Sequence, residues 1–137
     1  MQEPQNQHRV FVVDDERIIS STLATILTLQ GFEATAYTQP LEALKAARCK
    51  APDLLISDVV MPLLSGIDLS IQVQEQCPDC KVLLFSGQAT TMDLLETAST
   101  NGHSFELLTK PVHPTDLLKK VREVLAAPPP VPVLQEP

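Results

Sequence analysis

Four charged residues follow short apolar runs in this sequence and could do chemistry together. Asp14 and Asp15 come after Val-Phe-Val-Val, Asp58 follows Leu-Leu-Ile-Ser, and Lys110 follows a third run. Clustered carboxylates repel one another, so a divalent cation is the expected compensation, and hard oxygen ligands favour Mg²⁺ over zinc. A lysine opposite the metal would neutralise an incoming phosphoryl oxygen. These residue types therefore predict magnesium-assisted phosphoryl transfer.

Three more features support that chemistry. An aspartate carboxylate can take a phosphoryl group covalently, and Asp58, at the end of the central predicted strand, is the natural nucleophile. The Ser86 hydroxyl ends another apolar run and could donate to a phosphoryl oxygen, while Gly87 would let the backbone approach. The three histidines lack metal-ligand spacing.

The elements that must position these residues follow from an alternation of strand-length apolar segments with longer helical ones. This rhythm is typical of an α/β protein. In an open parallel sheet, ligands bind outside the carboxyl ends of the strands, where these charges fall. The predicted strands cover residues 9–13, 33–37, 53–57, 81–86 and 105–109.

Capping and stop signals separate the strands. Gly31 is placed to end the first helix, and Thr38 could cap a second helix with Pro40 in its first turn. A fourth helix is predicted over about 90–102, and a fifth begins near Pro114.

One segment gives conflicting signals. Within residues 66–76, apolar and polar side chains alternate, which taken locally favours a strand. Two parallel strands flank this segment, and a crossover between parallel strands is usually helical. We therefore predict a helix.

Length and composition limit the functional classes. The chain has 137 residues, a 44% apolar share and no apolar stretch long enough for a membrane span. Its start does not resemble a secretory signal, which favours the cytoplasm. A net charge of -7 argues against direct nucleic-acid binding, and three cysteines make a disulfide framework unexpected. The predicted organisation is a disordered segment over 1–8, one domain over 9–126 and a proline-rich tail or linker stub over 127–137.

Four motifs, in this order, resemble the receiver domain of bacterial two-component response regulators. They are Val13-Asp14-Asp15-Glu16, Ser57-Asp58-Val59-Val60-Met61-Pro62 with Gly66 following, Phe85-Ser86-Gly87, and Thr109-Lys110-Pro111. The resemblance implies a flavodoxin-like (CheY-like) fold, with a five-stranded parallel sheet in the order 2-1-3-4-5 and helices on both faces.

The resemblance also implies a role for each charged residue. Asp58 would accept the phosphoryl group, and Asp15 would bind Mg²⁺ directly together with Asp58 and the backbone carbonyl of Val60. Asp14 would act largely through water, and Mn²⁺ could replace Mg²⁺. Lys110 would pair with Asp58 at rest and with the phosphoryl group afterwards.

Other positions would set direction, lifetime and output. A cis bond before Pro111 would orient the lysine. Val60 and Gln88 would tune the lifetime of the phosphoryl group, and Ser86 would couple to Phe105 on the last strand. This coupling would switch the face formed by the fourth helix, fifth strand and fifth helix for partner binding or dimerisation.

The implied phosphoryl donor is a sensor histidine kinase or a histidine phosphotransfer protein, and the downstream partner is not identified by the sequence. The chain would be no enzyme beyond catalysing its own phosphorylation and dephosphorylation. No membrane contact is expected.

Two other functional classes stay open. One is a docking module on the same fold that works without phosphorylation. The other is a phosphatase of the haloacid dehalogenase type, but such an enzyme has an acidic residue two positions after its nucleophile, where this chain has Val60.

Cys77 and Cys80 have the Cys-x-x-Cys spacing of redox and zinc sites, although their place in a loop before the fourth strand favours an ordinary turn.

Overall fold

The computed structural model describes residues 7–86, 106–109 and 113–126. Its five strands form one parallel sheet in the order β2-β1-β3-β4-β5, which confirms the predicted fold. The strands are β1 Arg9–Val13, β2 Glu33–Tyr37, β3 Leu54–Asp58, β4 Lys81–Ser86 and β5 Glu106–Thr109. The helices are α1 Arg17–Leu29, α2 Pro40–Cys49, α3 Gly66–Gln76 and α4 Pro114–Ala126.

The core lies on both faces of the sheet because the central strand β3 is buried along its whole length. On one face, Leu55 packs in a cluster with residues of α2 and α3. On the other face, Leu54 and Ile56 pack with residues of α1 and α4. A strand buried on both faces has no polar side to expose, so its sequence is a continuous apolar run.

Helix α1 ends where the sequence predicts. The amide of Gly31 donates to the Thr28 carbonyl at 3.1 Å, and Gly31 has φ +95°, which favours a residue without a Cβ. The buried face of α1 carries Leu23 and Leu27, which fixes the helix against the sheet.

The predicted cap of α2 is wrong by one residue. Gln39, not Thr38, occupies the cap position, with extended backbone angles and no side-chain hydrogen bond. Pro40 is the first helical residue, where its missing N–H is harmless. The residue before a proline is sterically held in the extended region, so Gln39 has the backbone conformation of a cap.

The conflicting segment is the helix α3, as the crossover argument predicts. Ser65 caps it by accepting a hydrogen bond from the Asp68 amide at 3.1 Å. Its buried residues include Gly66, Leu69, Ser70 and Val73, spaced at three and four residues. The alternating apolar residues are nevertheless the ones that pack, since Ile67, Leu69 and Val73 are buried and Ile71 contacts the same core from this helix.

Strand β3 differs from the prediction by one residue at each end. It runs one residue later than predicted, so Asp58 lies within the strand, opposite Phe85 of β4.

At the start of α4, His113 accepts a hydrogen bond from the Thr115 amide through Nδ1 at 3.3 Å. The histidine thus serves the helix start. The predicted helix over 90–102 lies outside the described residues.

Among the residues that the structure describes, no helix is both long and apolar enough to cross a lipid bilayer.

Candidate functional site

Three carboxylates meet at the carboxyl edge of the sheet. Asp14 and Asp15 follow β1, and Asp58 ends β3, which is hydrogen-bonded directly to β1. One carboxylate oxygen from each residue lies within 4.8 Å of the other two. Asp14 is fully buried, Asp58 is 8% exposed, and Asp15 faces solvent. Three acidic groups therefore share one partly buried site that opens to solvent on one side.

Backbone amides hold Asp14 in place. Its own N–H donates to the Tyr37 carbonyl at 3.1 Å, which ties the end of β1 to the end of β2. Its Oδ1 accepts a hydrogen bond from the Glu16 amide at 2.9 Å, just before the first residue of α1. The partial positive charge at a helix N-terminus favours a carboxylate there.

Tyr37 supports the site without adding charge. Its ring packs edge-on against Phe11, with ring centroids 5.1 Å apart. Burial raises the pKa of the Tyr37 phenol, and the Glu42 carboxylate raises it further. The phenol is therefore neutral at neutral pH and adds no charge to the site.

Asp58 is fixed by backbone contacts on both sides. The Val59 amide donates to the Phe85 carbonyl at 3.1 Å, which continues the pairing of β3 with β4 beyond Asp58. The hydroxyl of Ser57 donates to the carbonyl oxygen of Asp58 at 2.9 Å inside the core. The phosphoacceptor candidate thus projects from a rigid strand end.

Ser86 ends the next strand and is 5% exposed. It lies opposite Thr109, the last residue of β5, in the parallel register. Lys110 follows Thr109 directly in the sequence. Lys110 itself lies outside the described residues, as do Gly87, Gln88, Phe105 and Pro111, so their predicted roles stay predictions.

The loop between β3 and α3 forms the solvent side of the site. Val60 is 48% exposed, and no hydrogen bond from the described part of the chain reaches its carbonyl. Leu63 is 82% exposed and has φ +73°, a left-handed conformation that is unfavourable for leucine. The loop therefore presents exposed apolar side chains beside the acidic cluster, together with the Val60 carbonyl, which receives no hydrogen bond from the described residues.

The donor set fits a hard divalent cation. All three carboxylates supply oxygen, and bringing them within 4.8 Å creates repulsion that a cation would relieve. Mg²⁺ is bound in proteins by one or two carboxylates with water completing its octahedron, and the exposed Asp15 gives water access. The residues present thus suit Mg²⁺ better than a metal that needs nitrogen or sulfur.

Sequence reasoning missed the part that Ser57 plays at this site. Ser57 is fully buried in β3, between the apolar residues 54–56 and Asp58. Buried hydroxyls are nearly always hydrogen-bonded, so a serine closing an apolar run was itself a signal of a specific partner. That partner is the backbone of the adjacent Asp58.

The Cys-x-x-Cys pair has the properties of a structural turn. Cys77 and Cys80 are both buried and not joined in a disulfide. Burial raises the pKa of Cys77, and burial, then Cys77 and Asp53, raise the pKa of Cys80 to about 12. Among the described residues, the acidic cluster alone has metal-ligand geometry. Protonated, buried thiols are poor nucleophiles and poor metal ligands, which agrees with the turn interpretation.

Comparison with known proteins identifies the class. The sequence profile of the response regulator receiver domain matches residues 10–122. Since the match covers most of the chain, the protein belongs to the response regulator receiver family of two-component systems.

Curated relatives extend beyond this region. The chain is 30% identical over 116 residues to the transcriptional regulatory protein CreB of Escherichia coli, covering 85% of this chain and 50% of CreB. It is 28% identical over 116 residues to the probable transcriptional regulatory protein TcrX of Mycobacterium tuberculosis, covering 85% of this chain and 49% of TcrX. The chain thus spans about half the length of the curated relatives it matches.

Solved structures agree with the fold. The chemotaxis protein CheY4 of Vibrio cholerae aligns with a TM-score of 0.77 at 27% identity, covering 86% of this chain and 98% of CheY4. A CheY-like receiver domain protein from Methanospirillum hungatei aligns with a TM-score of 0.79 at 27% identity, covering 88% of this chain and 94% of that one.

Proposed function

We propose that this receiver domain accepts a phosphoryl group on Asp58 in a reaction that requires Mg²⁺. The observation that carries the proposal is the convergence of Asp14, Asp15 and Asp58 within 4.8 Å at the carboxyl edge of the sheet. A cluster of acidic groups with two of them buried is unfavourable by itself, so it indicates a site shaped for a cation and an anionic substrate.

In this proposal Asp15, Asp58 and the carbonyl of Val60 would hold the metal, and Asp14 would act through water. Val60 fits because its carbonyl receives no hydrogen bond from the described residues. When bound, Mg²⁺ neutralises charge on the phosphoryl oxygens and on the attacking carboxylate. Mn²⁺, which accepts the same oxygen ligands, is the expected substitute.

Asp58 is the nucleophile in the proposed step. One of its carboxylate oxygens attacks the phosphorus of a phosphohistidine, a P–O bond forms, and the P–N bond breaks with its electron pair remaining on the imidazole. The rigid end of β3 holds the carboxylate in position for this attack, so the chain contributes mainly positioning. The domain is thus a phosphoacceptor that assists its own phosphorylation and dephosphorylation.

Residues outside the described ranges complete the proposal from the sequence motifs. Lys110 and Gly87, with Ser86, would bind the phosphoryl oxygens, and Pro111 would orient the lysine. Phe105 would move with Ser86 to switch the output face. Val60 and Gln88 would set the lifetime of the phosphoryl group.

The donor would be a sensor histidine kinase or a histidine phosphotransfer protein, and the output a partner protein, an attached domain or a homodimer. The cytoplasm is the proposed location, with domain limits at residues 9–126. That this region makes no direct contact with nucleic acid stays a prediction. The names of its relatives, which are transcriptional regulatory proteins, do not support it.

The test is the intact mass of the protein after incubation with acetyl phosphate and Mg²⁺. We expect one phosphoryl adduct in the wild type, none when EDTA replaces Mg²⁺, and none in Asp58→Asn. Asp79→Asn is the matched control because Asp79 is an exposed aspartate in the turn before β4. It should form the adduct at the wild-type rate.

Two results would count against this proposal. A folded wild type that forms no adduct, with acetyl phosphate or with a phosphorylated kinase, would contradict the proposal and favour a docking module that works without phosphorylation. An adduct that persists in Asp58→Asn would place the phosphoacceptor elsewhere.

A further inference from the structure

The backbone after Asp58 turns sharply from β3 toward α3. Two consecutive carbonyls in this turn are held by intramolecular donors. The Ser57 hydroxyl donates to the Asp58 carbonyl at 2.9 Å, and the Gly66 amide donates to the Val59 carbonyl at 2.8 Å. The third carbonyl in the row, that of Val60, receives no hydrogen bond from the described residues.

The first residue of α3 packs directly against this turn. A Cβ on Gly66 would overlap the carbonyl oxygen of Asp58 and lie 2.9 Å from the Ser57 hydroxyl oxygen. The backbone of Gly66 is held from the other side by the Ser70 hydroxyl, which donates to the Gly66 carbonyl at 2.7 Å. The Asp58 peptide is thus enclosed between a hydroxyl and a glycine, with no room for a larger residue.

The hydroxyl of Ser57 takes no part in strand pairing, although the residue pairs with Val13 of β1 and Leu84 of β4. The register of β1 with β3 ends at Ser57, and its hydroxyl instead satisfies the carbonyl of the following residue, which lies past that ladder. An unsatisfied carbonyl here could rotate toward other donors and carry the next two peptides with it. The hydroxyl therefore fixes the peptide plane that begins at the Asp58 Cα, two peptides before the Val60 carbonyl.

We propose that Ser57 and Gly66 are positioning residues that set the geometry of the cation site by holding the Asp58 and Val59 peptides. This inference rests on the proposed function, since it concerns how the same site binds Mg²⁺. Neither residue touches the metal or the phosphoryl group. They act by presenting the Asp58 carboxylate and the Val60 carbonyl to one cation together.

The experiment measures the Mg²⁺ dissociation constant by calorimetric or NMR titration of the unphosphorylated protein, alongside its thermal unfolding. In Ser57→Ala we expect the dissociation constant to rise roughly tenfold, the lower end of the range for groups that orient metal ligands. Ser57→Cys replaces the hydroxyl with a slightly larger thiol, which is a weaker donor, and should lie between the wild type and Ser57→Ala.

Ser20→Ala is the matched control. Ser20 is also a fully buried serine whose hydroxyl donates to a backbone carbonyl, that of Arg17, at 3.2 Å. It should lower thermal stability as Ser57→Ala does, with the Mg²⁺ dissociation constant unchanged. Hydrogen exchange of the Gly66 amide, measured without metal, should be faster in Ser57→Ala and unchanged in Ser20→Ala.

Each outcome decides the question. A wild-type dissociation constant in folded Ser57→Ala, or an equal weakening in Ser20→Ala, would overturn the positioning role while the proposed function stands. If Ser57→Ala does not fold, a wild-type dissociation constant in Ser57→Cys would overturn it as well. Absence of Mg²⁺ binding in the wild type itself would overturn the proposed function, and the positioning role with it.

Discussion

Groups capable of chemistry lie at both edges of the sheet, but their interactions differ between the two edges. At the amino edge, Arg9 and Asp53 exchange hydrogen bonds of 2.7 Å, and the two buried thiols face backbone carbonyls. At the carboxyl edge, three carboxylates lie together within 4.8 Å. At the amino edge the polar groups pair with one another, whereas at the carboxyl edge three groups of like charge converge, an arrangement that a bound cation would stabilise.

This difference separates structural polar groups from functional ones. Proximity alone does not make a site, since Cys77 and Cys80 are also close in sequence and buried. Burial raises the pKa of both thiols and leaves them protonated. A functional site instead has like-charged groups that the fold holds close together despite their repulsion.

The largest effect should come from matched alanine variants at the two ends of β3. At an effective dielectric constant of about 20, two unit charges about 5 Å apart repel by about 3 kcal/mol. Asp58→Ala removes such repulsion together with the contacts of Asp58, so we expect the metal-free protein to gain about 1–2 kcal/mol. Asp53→Ala removes the acceptor of the Arg9 amide and should lose about 1 kcal/mol.

Urea unfolding in EDTA measures both variants against the wild type. A loss of stability in both would show that the carboxyl edge is as well compensated as the amino edge, and the comparison would fail.

A smaller effect is expected at alkaline pH from the amino edge. The pKa of Cys80 rises from 9.0 to about 12 in the folded protein. The unfolded chain therefore releases this proton first, and the thiol's contribution to stability is lost between about pH 9 and 12, by at most about 1.4 kcal/mol per pH unit. Cys80→Ala should lessen the decline in unfolding free energy above pH 9.

The control for that measurement is Cys49→Ala, which removes an exposed thiol. Its alkaline decline should match the wild type. A decline in Cys80→Ala as steep as in the wild type would mean that the Cys80 thiol ionises equally well in both states.

The smallest effect concerns backbone strain in the loop beside the acidic cluster. Leu63 and Leu29 are both highly exposed, but Leu63 has φ +73° and Leu29 lies at the end of α1. Glycine relieves the left-handed strain and also increases the entropy of the unfolded chain, so Leu63→Gly should gain up to about 1 kcal/mol. Leu29→Gly should lose about 0.5–1 kcal/mol because glycine weakens a helix.

Chemical unfolding of the two glycine variants gives the answer directly. If Leu63→Gly were as destabilised as Leu29→Gly, the exposed leucine would be stabilising the loop despite its backbone conformation.

The alternation of strands and helices was predictable from the pattern of apolar residues, and the strand order was predicted from the resemblance to receiver domains. Residues 66–76 show why the wider pattern mattered, since their local alternation favoured a strand and the structure has a helix. The cap of α2 was missed because Thr38 is the better capping side chain, while Pro40 imposes the cap geometry on Gln39. The steric effect of Pro40 on the preceding residue therefore outweighed the capping propensity of Thr38.

The acidic residues of the site were predictable for a similar reason. Each follows an apolar run, and in a parallel sheet all such ends face the same edge. The roles of Lys110, Phe105 and Gln88 stay predictions from the motifs. Leu63 could not have been foreseen, because nothing in a leucine side chain favours a left-handed backbone.

The sequence by itself determined which residues carry charge at the ends of strands, and with them the class of the protein. That information is local, since it depends on residue type and on distance along the chain. The tertiary structure alone decided how closely the three carboxylates approach and that the Ser57 hydroxyl holds the Asp58 peptide beside Gly66. Those contacts depend on how β1, β3 and α3 pack against one another. The spacing of residues along a single segment does not determine the distance between two segments.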